Sequence, residues 1–126
     1  MPYQAISGHD NVGTLVDLDP QPRSATMPRS PELVFYGSGA EFNGATYAEL
    51  EWTALDRDSV DALLDQYGLS QTAASNDVTV SLRGRDDAFF NANATAIYLQ
   101  TERLTPYGWE GFRIRYIHIE EIPPTP

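Results

Sequence analysis

The side chains able to do acid–base or metal chemistry are few and poorly spaced for it. The chain holds two histidines, His9 and His118, and no cysteine. There is thus no thiolate nucleophile, no disulfide framework and no cysteine-bearing zinc site. His118 falls in an Ile-rich stretch and reads as a core or interface residue rather than a base. His9 has Asp10 beside it, but a single pair lacks the His-x-x-His type of spacing that a metal site needs. Carboxylates are abundant, and Asp86-Asp87 in a turn or Glu120-Glu121 at a strand end are explained by solvation. A glycosidase pair must face across a cleft, a relation that spacing alone does not supply. Asp10, Asp17 and Asp19 lack the EF-hand spacing and its glycine. Gly37-Ser38-Gly39 precedes neither a helix nor a lysine, so it is no phosphate loop. No serine sits in a G-x-S-x-G elbow. The expectation is a protein that is not an enzyme, with no catalytic, cofactor-binding or metal-ligating residues.

The charges carry a second pattern. All eight basic residues are arginine, against eighteen Asp and Glu, for a net charge of -10 over 126 residues. Such a surface repels phosphate backbones and anionic lipid, so neither nucleic acid nor membrane is an expected partner. Arg83, Arg85, Arg103, Arg113 and Arg115 gather in the C-terminal half, while Asp and Glu dominate residues 41–65. As surface ion pairs these would contribute about 0–1 kcal/mol each. As head-to-tail complementarity, the basic edge of one copy would meet the acidic edge of the next, a heterologous contact that closes into a ring. The planar guanidinium fork suits such pairs. The expected interface residues are Arg83, Arg85, Arg113 and Arg115, with Ile6, Val12, Leu15 and Leu18 from an N-terminal arm.

The elements that would position these residues follow from periodicity. Residues 1–31 hold Pro2, Pro20, Pro22, Pro28 and Pro31 and little apolar content, which reads as an extended arm, either loose or ordered against a neighbouring subunit. A domain is expected over residues 32–122. Leu33-Val34-Phe35-Tyr36 reads as a strand, and Asn43-Gly44 as a hairpin turn. Ala48, Leu50 and Trp52 alternate with Glu49 and Glu51, as in a half-buried strand. A helix is expected over about 57–67. Asp56 is its N-cap, Leu55 and Val60 its hydrophobic staple, and Gly68 its C′ residue. Val60, Leu63, Leu64 and Tyr67 form one stripe. Strands resume through Val78, Val80 and Leu82, then Ala92, Ala94, Ala96 and Tyr98. After a turn at Thr105-Pro106-Tyr107-Gly108, a last strand puts Phe112, Ile114, Tyr116 and His118 on one face. Arg113, Arg115, Ile117 and Ile119 take the other. Residues 123–126 are a Pro-rich tail. The order implies a mainly β fold with one α-helix: an antiparallel β-sandwich or barrel flanked by a single helix, plus the arm. No apolar run reaches the length of a transmembrane helix, and residues 1–10 lack the regions of a signal peptide.

Phe42-Asn43-Gly44 through Leu50-Glu51-Trp52, the helix ending in Gly68-Leu69, Val78-Thr79-Val80 and Tyr107-Gly108-Trp109 with residues 112–121 form a pattern. It resembles the small minor tail proteins of long-tailed bacteriophages, over residues 40–122. The resemblance implies a tail-tube-like module, of a kind that forms sixfold rings in tails. It therefore implies a virion structural protein at or near the tail tip, assembled in the host cytoplasm. Its partners would be copies of itself, as a hexameric ring, and other tail proteins. An acidic ring interior would let DNA pass without sticking. The alternatives are a capsid cement or decoration protein, and a carbohydrate-binding β-sandwich that stacks sugars on Tyr107 and Trp109.

Overall fold

A computed structural model describes residues 3–26, 28, 32–37, 39–43, 47–84 and 87–123. Its elements are β1 (Gln4–Ser7), β2 (Val16–Asp17), β3 (Ser24–Ala25), β4 (Glu32–Tyr36), β5 (Gly39–Asn43), β6 (Ala48–Glu51) and α1 (Arg57–Tyr67). Then follow β7 (Ser75–Arg83), β8 (Phe89–Tyr98), β9 (Arg103–Thr105), β10 (Gly108–Glu110) and β11 (Arg113–Ile122). Seven strands form one antiparallel sheet, in the order β2-β1-β7-β8-β11-β6-β3, curled into a half-barrel. Hairpins β4–β5 and β9–β10 stand as separate two-stranded sheets. The fold is mainly β with a single helix, as the order of patterns implies. The β4–β5 hairpin reverses between Tyr36 and Gly39, which are opposite each other. Gly44 of the expected Asn-Gly turn, Arg85 and most of the Pro-rich tail lie outside the described residues.

Local chemistry accounts for the helix. The Asp56 carboxylate accepts the Ser59 amide at 2.7 Å, and Gly68 closes the helix in the left-handed region (φ 77). Val60, Leu63, Leu64 and Tyr67 are its buried residues. They meet the alternate residues of the sheet: Ala48, Leu50 and Trp52, then Val78, Val80 and Leu82, then Ala92, Ala94 and Ala96, then Ile114 and Tyr116. Alanines on three successive inward positions of β8 leave room for larger neighbours, notably Tyr67 and Tyr116, whose rings lie 5.9 Å apart. Their hydroxyls share a 2.5 Å hydrogen bond, and burial pushes both far above the ordinary phenol range. Both therefore stay neutral, and the bond satisfies hydroxyls that would be costly to bury unpaired.

The Asp56 cap has a pH signature. Hydrogen bonds from Ser59 hold the carboxyl below its usual range. A depressed folded value means stability that is complete above the ordinary carboxylate value of about 4 and fades as pH falls through the folded value. Asp56→Ala should lose a few degrees of Tm at neutral pH, and the gap to wild type should close in acid. A gap of constant size down to strongly acidic pH would show that the cap does not act through its charge.

Two expectations are corrected. Three short strands of the segment read as an arm, β1, β2 and β3, are paired into the sheet. β1 lies between β2 and β7, with Ala5 opposite both Val16 and Val80. Ala5 and Leu18 are core residues. The Gly8 carbonyl accepts from Thr79 Oγ1, and the Trp52 indole donates to the Pro20 carbonyl at 2.7 Å. Prolines space this segment without excluding it, because Pro20 and Pro22 sit in the crossing between β2 and β3, where no ladder donor is needed. The second correction concerns β11. Strict alternation puts His118 inward and Ile119 outward, but the register shifts between Ile117 and Glu120, with His118 in the left-handed region (φ 53). The extra residue turns His118 out to solvent and packs Ile119 against the core.

Candidate functional site

The cross-strand register decides where the arginines go. β11 is paired with β6 so that Arg113 lies opposite Glu51 and Arg115 opposite Glu49. Arg115 Nη2 contacts Glu49 Oε1 at 3.0 Å, and its guanidinium lies 5.3 Å from the centre of the Tyr47 ring. Arg113 reaches Glu51 at 3.5 Å, and Arg83 pairs with Asp87 on the turn that follows β7. The complementarity expected between copies is, for these three residues, used within one chain. For Arg113 and Arg115 the reason is topological, since the acidic outer face of β6 and the basic outer face of β11 are neighbours in one sheet; Arg83 finds its partner four positions along the chain. Among the apolar interface candidates, Leu18 is 2% exposed and belongs to the core. Ile6 and Leu15 are half-buried, and Val12 sits in a single 3-10 turn with its side chain partly in solvent.

The structure gathers a different set. A cleft of about 520 Å³ opens beside the β3–β6 edge and the base of the β9–β10 hairpin, lined by Arg23, Arg103, Arg113, Glu51 and Glu110 among others. Each position has a local cause. The Arg23 amide donates to the Glu51 carbonyl at 2.8 Å, which ties the start of β3 to β6. Arg103 and Glu110 are opposite each other on the hairpin. The hairpin is fixed to the domain by reciprocal backbone bonds between Leu55 and Trp109, at 2.8 and 2.9 Å, and by Thr101 Oγ1 donating to the Gly111 carbonyl at 2.6 Å. Gly108 is required at this junction, since a Cβ there would stand 2.8 Å from the Leu55 carbonyl oxygen. Arg57, Arg83, Arg113 and Arg115 each have a carboxylate partner; among the described residues Arg23 and Arg103 have none. Both exposed, unpaired guanidinium groups line this one cleft.

The same hairpin carries the most exposed large apolar side chains among the described residues, Leu104 at 68% and Tyr107 at 85%. A second cleft, about 320 Å³, borders it through Trp109 and takes in Arg57, Asp61, Gln71 and Glu102. The Tyr98 hydroxyl donates to Glu102 Oε1, while Glu102 Oε2 is buried with no partner among the described residues. His9 is held by the Ala94 carbonyl at 3.0 Å, stands 3.9 Å from Asp77 and lines neither cleft. Among the described residues, no group of three or more His, Asp or Glu is placed to hold a metal ion, and no helix is long and apolar enough to cross a membrane.

Arg23, Leu104 and the role of Arg103 in a cleft were not evident from sequence. Arg23 lies in the stretch read as an arm, and only the pairing of β3 with β6 brings it to Arg113. The partnering of Arg113 and Arg115 did have a sequence signal: Glu49-x-Glu51 and Arg113-x-Arg115 repeat opposite charges at strand spacing, as neighbouring strands do. Compared with known proteins, the chain matches no family model, no curated protein and no solved structure.

Proposed function

We propose that this chain is a non-enzymatic virion structural protein, a bacteriophage tail component at or near the tip, which assembles into a ring with copies of itself and contacts other tail proteins. The observation that carries the reading is the β9–β10 hairpin. It holds two large apolar side chains in water, Leu104 at 68% and Tyr107 at 85% exposure, beside a cleft with two unpaired arginines. Apolar residues rimmed by charge are what a protein–protein contact needs, and aromatics and arginine are enriched at such contacts. A mainly β half-barrel with one helix is also the kind of module that the resemblance to minor tail proteins implies. In this reading the protein belongs to the virion and assembles in the host cytoplasm.

Replacing both apolar residues, Leu104→Ser with Tyr107→Ser, should leave Tm near that of wild type, because both side chains already lie in solvent. It should abolish or sharply weaken self-association. Unchanged association would remove the hairpin from the contact. The carbohydrate-binding alternative keeps one supporting feature, the exposed Tyr107 ring, and saturable glycan binding by a monomer would favour it. The cement-protein alternative drew on a free arm, whereas three short strands within residues 3–26 pair into the sheet.

A further inference from the structure

We infer that the arginine-lined cleft is a receptor for a carboxylate, supplied in the assembly by an exposed Asp or Glu of a neighbouring copy. The source of the carboxylate rests on the assembly reading; the chemistry of the cleft does not. Three guanidinium groups face two carboxylates there, Glu51 and Glu110, and Glu51 is already engaged by Arg113. The surplus is one positive charge, which matches a single carboxylate better than a phosphate dianion. Arg23 and Arg103 come from different elements, the lead-in to β3 and strand β9, and both line the space between. Guanidinium donors suit the two oxygens of a carboxylate.

The overall charge selects the partner further. At -10 the protein repels a long polyanion, whose many phosphates would feel the whole field; the same field opposes a second copy, which the local arginines of the cleft and the apolar hairpin must outweigh at short range. The chain itself is the carboxylate-rich partner at hand, with eighteen Asp and Glu against eight Arg. In a ring, each cleft would be filled by the next subunit. This keeps the head-to-tail complementarity expected from the sequence, but moves it from Arg83, Arg113 and Arg115 to Arg23 and Arg103.

The test uses the full chain labelled with nitrogen-15, where lysine is absent and only eight arginine Nε–H signals arise. Sodium acetate is the carboxylate probe, titrated at constant ionic strength against sodium chloride, with inorganic phosphate in a parallel arm. The Arg23 and Arg103 signals should move saturably with acetate while those of Arg57 and Arg115 stay. Arg103→Gln should remove the Arg23 response and weaken self-association by roughly three- to fivefold. Equal movement of all exposed arginines, no saturation, or a stronger response to phosphate would overturn the carboxylate assignment. A saturable acetate response with association untouched by Arg103→Gln would overturn the neighbouring copy as the source. A wild-type chain that never self-associates would overturn that source and the assembly reading together, with the acetate arm still deciding the cleft's chemistry.

Discussion

Deleting residues 1–23 should unfold the chain, rather than trim a dispensable arm. β1 has a hydrogen-bonded neighbour on each side, so its loss takes β2 with it and leaves the nine-residue β7 without its partner along Val78, Thr79 and Val80. The inward side of that strand, Val78, Val80 and Leu82, would lose the cover that Ala5 and Leu18 supply. On its other side Thr79 and Ser81 are buried only because the N-terminal segment lies over them, through Thr79 Oγ1 to the Gly8 carbonyl and the Gln4 amide to Ser81 Oγ. A long naked edge is also a template for aggregation. The truncated protein should therefore be insoluble, or lack a cooperative melt and near-ultraviolet circular dichroism. A soluble truncation that melts cooperatively near the wild-type Tm would contradict the placement of β1.

Trp52→Ala should be the most damaging single substitution. Trp52 is 1% exposed, its ring lies 5.2 Å from that of Phe112, and its indole nitrogen donates to the Pro20 carbonyl. Truncation removes a large buried side chain and leaves a cavity, a loss of about 3–5 kcal/mol. It also leaves the Pro20 carbonyl without its donor, which loosens the crossing from β2 to β3. For a chain of this size the loss corresponds to roughly 10–20 °C of Tm. Trp52→Phe keeps most of the packing but not the hydrogen bond, so it should cost clearly less. Chemical denaturation of both variants checks the order; equal stability of Trp52→Ala and wild type would mean that this side chain does not anchor the core.

What could be read from the sequence was whatever is written locally. The helix carries its own cap, staple, stripe and terminating glycine within fourteen consecutive residues, 55–68. β6 and β8 carry their period in four and ten residues. β1 has only Gln4-Ala5-Ile6-Ser7, and its partner is remote: Gln4 and Ser81 meet across 77 positions. Nothing in such a short stretch names its neighbour, so composition suggested an arm. His118 failed for a different reason, since a bulge is an insertion in the ladder and leaves the apolar alternation before it intact. The arginine cleft is a product of topology: Arg23, Arg103 and Arg113 belong to three elements, and only the sheet order and the Leu55–Trp109 bridge bring them to one place. The charge asymmetry was visible in the sequence, but the residues left unpaired by it were not.

The central claim is assembly through the hairpin and the cleft beside it, and native mass tests it most directly. Light scattering on the wild-type chain, over a concentration series at low and high salt, should give a mass that rises from the 14.0 kDa protomer toward a closed ring. The rise should be absent in the Leu104→Ser, Tyr107→Ser variant at either salt level. A wild-type mass that stays at one protomer at every concentration and salt would contradict the claim.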